Sequence, residues 1–562
     1  MNEKVAGDAM LHFLSRSGAK SVGRWPLTLP KLSEEIPLGL WFSIVLLSAA
    51  SGTTVMFLLN TEAQQIEDHN YSKLLAVLFF AMLVIYRTAQ NLLISRAAKA
   101  VETGLNLMRN KITSRVMGLS LRDIEDLNAK RVIDELSAHY GAISQAAVPL
   151  ISGVESIVLL LFMSIYLVVL SPAAGLLSAI IVVITVFGYL NINREMTKSL
   201  DSTSKIEERH RRYAEGVIYG AKELRLNNKK SVEFESDISD ASHMLGESRS
   251  LSAKLFARLI STGSSMAYLM AGGVVFILPI VSSSTQDDIG RIVMAVLFLL
   301  SPIGALVNGV PNYSIAKFRL AEINKFETDL DRCLEKQATE VAFTEKEFDT
   351  LSLDGVGYAH NADASEKSFA ISGLSMDIKR GDIVFITGGN GSGKTTALRT
   401  LTGLYPHSEG KIVLNGQIVS KMPSQEYRNV FASVFADFYI FPKPYTLDEE
   451  GREKLREWLK FFEIEEKLSD KLTELHPERL STGQRKRLAL ALALAEERPV
   501  LILDEWAADQ DPETRERFYR ELLPYLKTRG ITIIAVTHDD KYFNCADRRY
   551  HMTEGQIEAN TV

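Results

Sequence analysis

Long apolar runs dominate residues 37–310, while residues 345–562 alternate short apolar runs with polar ones in the manner of a soluble α/β protein. A helix needs about 20 apolar residues to cross a bilayer. Six stretches reach that length: 37–60, 73–94, 146–170, 173–191, 259–281 and 290–310. The links at 61–72, 171–172 and 282–289 are short and hold no Lys or Arg. The links at 95–145 and 192–258 are long and hold 8 and 13 of them. Positive charge stays on the cytoplasmic side, so the long links, both termini and everything after residue 311 are expected to be cytoplasmic. Both long links carry helical patterning, at 121–143 and 211–228, and are expected to continue the membrane helices.

Residues 1–36 are polar and lack a signal-peptide core, so they read as a cytoplasmic lead-in with no room for a fused peptidase domain. The expected organisation is a lead-in at 1–36, six membrane helices at 37–310, a charged linker at 311–345 and a soluble domain at 346–562. Two intramembrane charges need an explanation. Arg87 lies close enough to the inner end of its helix to snorkel. Glu155 sits in mid-span, where a carboxylate costs several kcal/mol without a partner. It is either a cavity or proton-linked acid, or a structural carboxylate that pairs with a neighbouring helix or lies shallower than mid-span.

The soluble part carries the chemistry. After a β-like run at Ile383–Thr387 comes Gly388-Gly389-Asn390-Gly391-Ser392-Gly393-Lys394-Thr395, followed by Thr396 and a helical pattern. This is G-x-x-x-x-G-K-[ST] between strand and helix. Its glycines let backbone N–H groups turn around phosphate oxygens, and the helix presents its positive end to the same anion. Lys394 is expected on the β/γ-phosphates and Thr395 on Mg²⁺. Such a loop calls for a buried strand ending in a magnesium-side acid, and "VLILDE" at 500–505 supplies one. Asp504 takes that role. Alternation in a strand points Glu505 elsewhere, toward a water, as general base. Between these elements Ser481 is a good N-cap for a patterned helix, a second anion-binding helix start.

Overall composition adds little: a mean hydropathy of +0.03 averages two unlike halves. The net charge of −6 points neither to nucleic acid nor to an acidic tail. The two cysteines, Cys333 and Cys545, are far apart and imply neither disulfide nor zinc.

The ordered set "GGNGSGKTT", "LSTGQ", "VLILDE" and "VTHDD" resembles that of ATP-binding-cassette exporter half-transporters over roughly 37–560. The resemblance implies a six-helix transporter domain fused to a cytoplasmic α/β P-loop nucleotide-binding domain, using ATP and Mg²⁺. Gly388–Thr396 then resembles Walker A, Asp504 and Glu505 Walker B, and Leu480–Gln484 the signature, with Thr482 replacing a glycine. Ser481, Gly483 and Gln484 would face ATP held by a second copy. Ala508–Asp511 resembles the D-loop, with Asp511 its aspartate, and His538 the switch histidine on the γ-phosphate. The adenine-stacking aromatic falls at His360, with Tyr358 as a substitute. The Q-loop glutamine falls at Ala436, beside Asp437, a carboxylate able to hold Mg²⁺ or water. "DEWAADQDP" is similar to the cyclic-peptide transporter subgroup, exporters of microcin-, syringomycin- and pyoverdine-type products.

That resemblance implies a homodimer in a bacterial inner membrane, exporting a peptide-like or siderophore-like substrate across the lipid bilayer. A lipid or lipid-linked-glycan flippase shares the same motifs. A non-transporting sensor ATPase would be expected to carry a degraded catalytic set, which this chain does not.

Overall fold

Among the described residues, the six apolar stretches fall almost wholly in helices. The computed structural model describes residues 38–67, 72–126, 129–277, 280, 289–335, 348–359, 370–468 and 472–560. The helices of the membrane half are α1 (Leu38–Glu67), α2 (Lys73–Met117), α3 (Leu121–Asp126), α4 (Ala129–Leu170) and α5 (Pro172–Tyr219). There follow α6 (Ala221–Leu226), α7 (Asn228–Gly272), α8 (Ile289–Phe298) and α9 (Leu300–Glu335). Among the described residues five helices are long and apolar enough to cross a membrane; of the expected span at 173–191, Pro172–Ile181 registers as a shorter apolar helix within α5. The expected lead-in and the link at 282–288 lie outside the described residues.

Length explains why the inner links are helical. At about 1.5 Å per residue α2 runs to about 68 Å, more than twice a hydrocarbon core of about 30 Å. The extensions of α5 and α7 are stitched by hydroxyls, Ser199 to Ser252 at 2.8 Å and Thr203 to Ser248 at 2.7 Å. The helical pattern at 211–228 breaks at Gly220, and Asn227 then caps α7 by accepting from the Lys230 N–H. The charged stretch expected as a linker from 311 is in large part helix, since α9 continues to Glu335.

Glu155 is buried between helices. Its Oε1 accepts from Ser48 Oγ of α1 at 2.5 Å, and its Oε2 from Gln90 Nε2 of α2 at 3.3 Å. Of its two readings, the structure shows the interhelical pairing, made to neutral donors. Gly153 and Gly309 let α4 and α9 touch backbone to backbone, for a Cβ on Gly309 would lie 3.2 Å from Pro149 O.

The chain divides into two compact units, residues 1–115 with 130–330, and residues 116–129 with 331–562. The second unit holds two sheets. In the smaller, strands β1 (Thr350–Ala359), β2 (Ala370–Lys379), β4 (Glu409–Leu414) and β5 (Gln417–Val419) run antiparallel in the order β2-β1-β4-β5. The larger orders β10 (Gln556–Asn560), β9 (Arg548–Thr553), β3 (Ile383–Gly388), β8 (Thr532–Val536), β7 (Val500–Asp504) and β6 (Phe431–Val434), with all neighbours parallel except β10. Helices α10 (Lys394–Leu401), α11 (Glu449–Phe461) and α12 (Thr482–Ala495) complete what the site needs.

β3, β7 and β8 are apolar without alternation because both faces are covered. Phe385, Leu501, Leu503 and Ala535 enter one core, with α11 and α12. Ile386, Ile502, Ile534 and Val536 enter the other, with Ala397, Leu398 and Leu401 of α10. Period-two alternation therefore sends Asp504, two residues after Ile502, toward α10.

Candidate functional site

β3 leads directly into the phosphate-type loop. Gly388 has φ +148°, and a Cβ there would lie 2.2 Å from Met552 O of β9, so no other residue fits. Gly389, Asn390 and Gly391 are exposed at the mouth of the loop, while Ser392 and Lys394 are buried. Lys394 Nζ reaches back over the loop, donating to Gly388 O at 3.2 Å and Gly389 O at 2.8 Å. Lys394, Thr395 and Thr396 form the first turn of α10, where backbone N–H groups have no partner within the helix.

The second wall comes from β7. Asp504 is 1% exposed and its Oδ2 accepts from Thr395 Oγ1 at 2.8 Å. Its Oδ1 and the Ser392 hydroxyl are buried and make no hydrogen bond. Burial pushes the Asp504 carboxyl above its ordinary range, and the Thr395 hydroxyl partly offsets the shift. A hydroxyl and a carboxylate with a spare buried oxygen are the hard oxygen donors Mg²⁺ prefers, so these residues fit that ion.

Glu505 leaves the strand. Its φ of 51° is left-handed, rare for a residue with a side chain and a mark of functional sites. Its N–H donates to Val536 O at 3.2 Å. Its carboxylate meets His538, whose Nε2 lies 3.1 Å from Glu505 Oε1. Asp504 pairs with Val536 in register, so neighbouring strands β7 and β8 deliver Glu505 and His538 to one place.

Ser481 and Gln484 form a capping box at the start of α12. Ser481 Oγ accepts from the Gln484 N–H at 3.3 Å, and Gln484 Oε1 from the Ser481 N–H at 3.0 Å. Gly483 lies against the loop after β7, where a Cβ would come 3.2 Å from Asp509 O. Asp511 caps the next helix, accepting from the Thr514 N–H at 2.9 Å, and this bond holds its carboxyl below the usual range.

Four contacts join α12 to that loop, and the sequence reading missed Lys486, which takes part in three of them. Lys486 Nζ, deeply buried, donates to Glu505 O at 2.9 Å and pairs with Asp509 at 2.8 Å. Trp506 Nε1 donates to Lys486 O at 2.8 Å, and Gln510 Nε2 to Gly483 O at 3.3 Å. Lys486 was findable, since it falls four residues before Leu490 and eight before Leu494, on the apolar face. The Trp506 ring lies 4.6 Å from that of Phe518, in the core.

Two expectations need correcting. Tyr358 is buried and its ring stacks on Tyr405 at 4.8 Å, so it is not offered to a base. Asp437 is engaged elsewhere. Its carboxylate pairs with Arg399 at 2.8 Å, drawn by the nearest fixed positive charge rather than by a metal site. His360 lies outside the described residues.

A P-loop, its acid-tipped strand and a capped helix on a parallel sheet are the parts of an ATP-binding-cassette ATPase domain; long apolar helices precede it in the chain, which hydrolyses ATP to drive transport. The ABC transporter family matches residues 371–508. The chain is 27% identical to the ATP-binding protein SyrD of Pseudomonas syringae pv. syringae, over 92% of this chain and 94% of that protein. It is 36% identical to the Fe(3+) ions import ATP-binding protein FbpC of Rhizobium etli, over 34% of this chain and 55% of that one. In fold it is similar to a bacterial Atm1-family ABC exporter solved with ATP bound, with a TM-score of 0.70 and 17% identity over 94% of each chain.

Proposed function

We propose that the chain works as a homodimer in a bacterial inner membrane and exports a peptide-derived metabolite of the cyclic-peptide, microcin or siderophore type. Residues 37–310 form its membrane domain and 346–562 its nucleotide-binding domain. The observation that carries this reading is coverage. Similarity to SyrD runs through both halves, whereas similarity to importer ATPases such as FbpC stops at about a third of the chain. The "DEWAADQDP" motif supports the peptide class.

In this reading ATP lies between the loop Gly388–Thr396 of one copy and Ser481, Gly483 and Gln484 of the other, with Asp511 at the seam. Thr395 and Asp504 would hold Mg²⁺, which supplies positive charge to the phosphate oxygens. Lys394 moves from its loop carbonyls to the phosphates. Glu505 takes the proton of the attacking water, and His538 holds the Glu505 carboxylate in position and reaches the γ-phosphate. His360 is the adenine-side candidate that is left.

The test is ATPase stimulation of the reconstituted protein across cyclic peptides, siderophores and lipids. Stimulation by a peptide-derived compound is expected. Stimulation by lipids alone overturns the substrate class in favour of a flippase.

A further inference from the structure

One charged cluster in the second unit is not used by the chemistry above. Residues 116–129 lie between two membrane helices in sequence, yet they group with the nucleotide-binding unit. The short helix α3 is seated there by Leu121, which packs on the core behind α10. From it Glu125 extends to Arg399, whose Nη1 donates to Glu125 Oε1 at 3.1 Å. Tyr405 donates its hydroxyl to Glu125 Oε2 at 2.5 Å and accepts from Arg399 at 2.8 Å. The other arm of the guanidinium, Nη2, donates to Asp437 Oδ2 at 2.8 Å.

The position of Arg399 gives this cluster meaning. It lies four residues after Thr395 on α10, hence on the same helix face as the threonine that binds Asp504. Asp437 lies in the loop leaving β6, the strand paired with β7. One guanidinium, carried on the helix of the phosphate loop, therefore joins the 116–129 segment to the loop where the resemblance places a glutamine and this chain has Ala436. Its planar fork can hold two carboxylates at once, which a lysine ammonium on a flexible stem does not reproduce. The Arg399 side chain is 17% exposed, against 36% for Glu125 and 70% for Asp437, so it is the fixed geometry of the fork rather than the strength of the ion pairs that ties the two carboxylates together.

We propose that Arg399 is the positioning residue of energy coupling in this chain, holding Glu125 and Asp437 together so that a shift of the phosphate-loop helix moves the 116–129 segment. The inference rests on the reading of the chain as an ATP-driven exporter. It assigns to an Arg399–Asp437 pair the task that the missing glutamine leaves open.

The test uses the full chain in lipid nanodiscs, with Cys333→Ser and Cys545→Ser and a nitroxide on Val169→Cys, an exposed position before the link at 171–172. Two quantities are read: Mg·ATP hydrolysis, and the change in the nitroxide spectrum on adding Mg·ATP with orthovanadate. Glu125→Gln is expected to keep the parent's hydrolysis rate but lose about fivefold or more of the spectral change. Arg399→Lys, which keeps the charge but not the fork, is expected to lose a similar part of the spectral change per ATP hydrolysed. The inference is overturned if both variants keep the parent's spectral change, or if hydrolysis and spectral change fall by the same factor. A parent that hydrolyses ATP with no spectral change overturns the export reading itself.

Discussion

The two halves of this chain are specified in different ways. In the nucleotide half, residues far apart in sequence, from Gly388 to His538, converge because buried central strands deliver them at their C-terminal ends. Each has a reason to be that residue type: a Cβ at Gly388 would strike Met552 O, and Asp504 must accept from Thr395. In the membrane half many of the buried polar groups among the described residues are serines, several bonded within their own helix. Between helices Glu155 contacts Ser48 and Gln90, and much of the rest is apolar surface that many side chains could supply. Residue identity is dictated where charge has to be placed to within fractions of an ångström, and loosely where only burial is needed. One half therefore announces its reaction, while the other discloses little about its cargo.

The sharpest way to break this contrast is Glu505→Gln. Loss of the general base is expected to lower ATP turnover by about 10² to 10⁴-fold while ATP stays bound. A phosphate-release assay with nucleotide retention checks it, and undiminished turnover would remove Glu505 from the mechanism. Next in size is Trp506→Ala. Emptying a fully buried indole that also bonds Lys486 O should cost about 3–5 kcal/mol, read as a lower unfolding temperature. Trp506→Phe, which keeps most of the packing, should cost less.

A smaller effect is expected in pH. The Tyr405 hydroxyl is pushed up to about 12, first by burial and then by its bond to Glu125. Free tyrosine titrates near about 10. A pKa raised on folding contributes stability that is complete below the unfolded value and is lost as pH rises through the folded one. Stability should therefore decline between pH 10 and about 12 in the parent, and less so in Tyr405→Phe, as alkaline unfolding will show. The smallest effect belongs to the membrane half. Glu155→Leu leaves Ser48 and Gln90 without their acceptor and should cost about 1 kcal/mol, with Glu155→Gln nearly neutral. Abolished transport with an unchanged unfolding temperature in Glu155→Gln would instead make Glu155 part of the transport path.

Much of the nucleotide site was readable from the sequence, because motif and strand period act together. A loop between strand and helix, and an acid ending a run buried on both faces, leave few alternatives. Alternation places Asp504, but Glu505 lies beyond the strand, and what sets its direction is a left-handed turn, a tertiary constraint that no local pattern reveals. What could not be read depends on partners distant in sequence. Tyr358 looks available for stacking until Tyr405 is seen against it, and Asp437 looks like a metal ligand until Arg399 is seen beside it. The helical course of α9 beyond residue 311 was hidden for another reason: a polar helix outside the membrane has no apolar stripe to declare it.

In the proposed function, hydrolysis at Glu505 drives a peptide-derived compound across the membrane. The most direct test is ATP-dependent uptake of a cyclic lipopeptide into inside-out proteoliposomes by the parent and by Glu505→Gln. Accumulation is expected in parent vesicles, dependent on Mg·ATP and absent with Glu505→Gln. Active hydrolysis in the parent, with no more accumulation than in Glu505→Gln vesicles, would contradict that function.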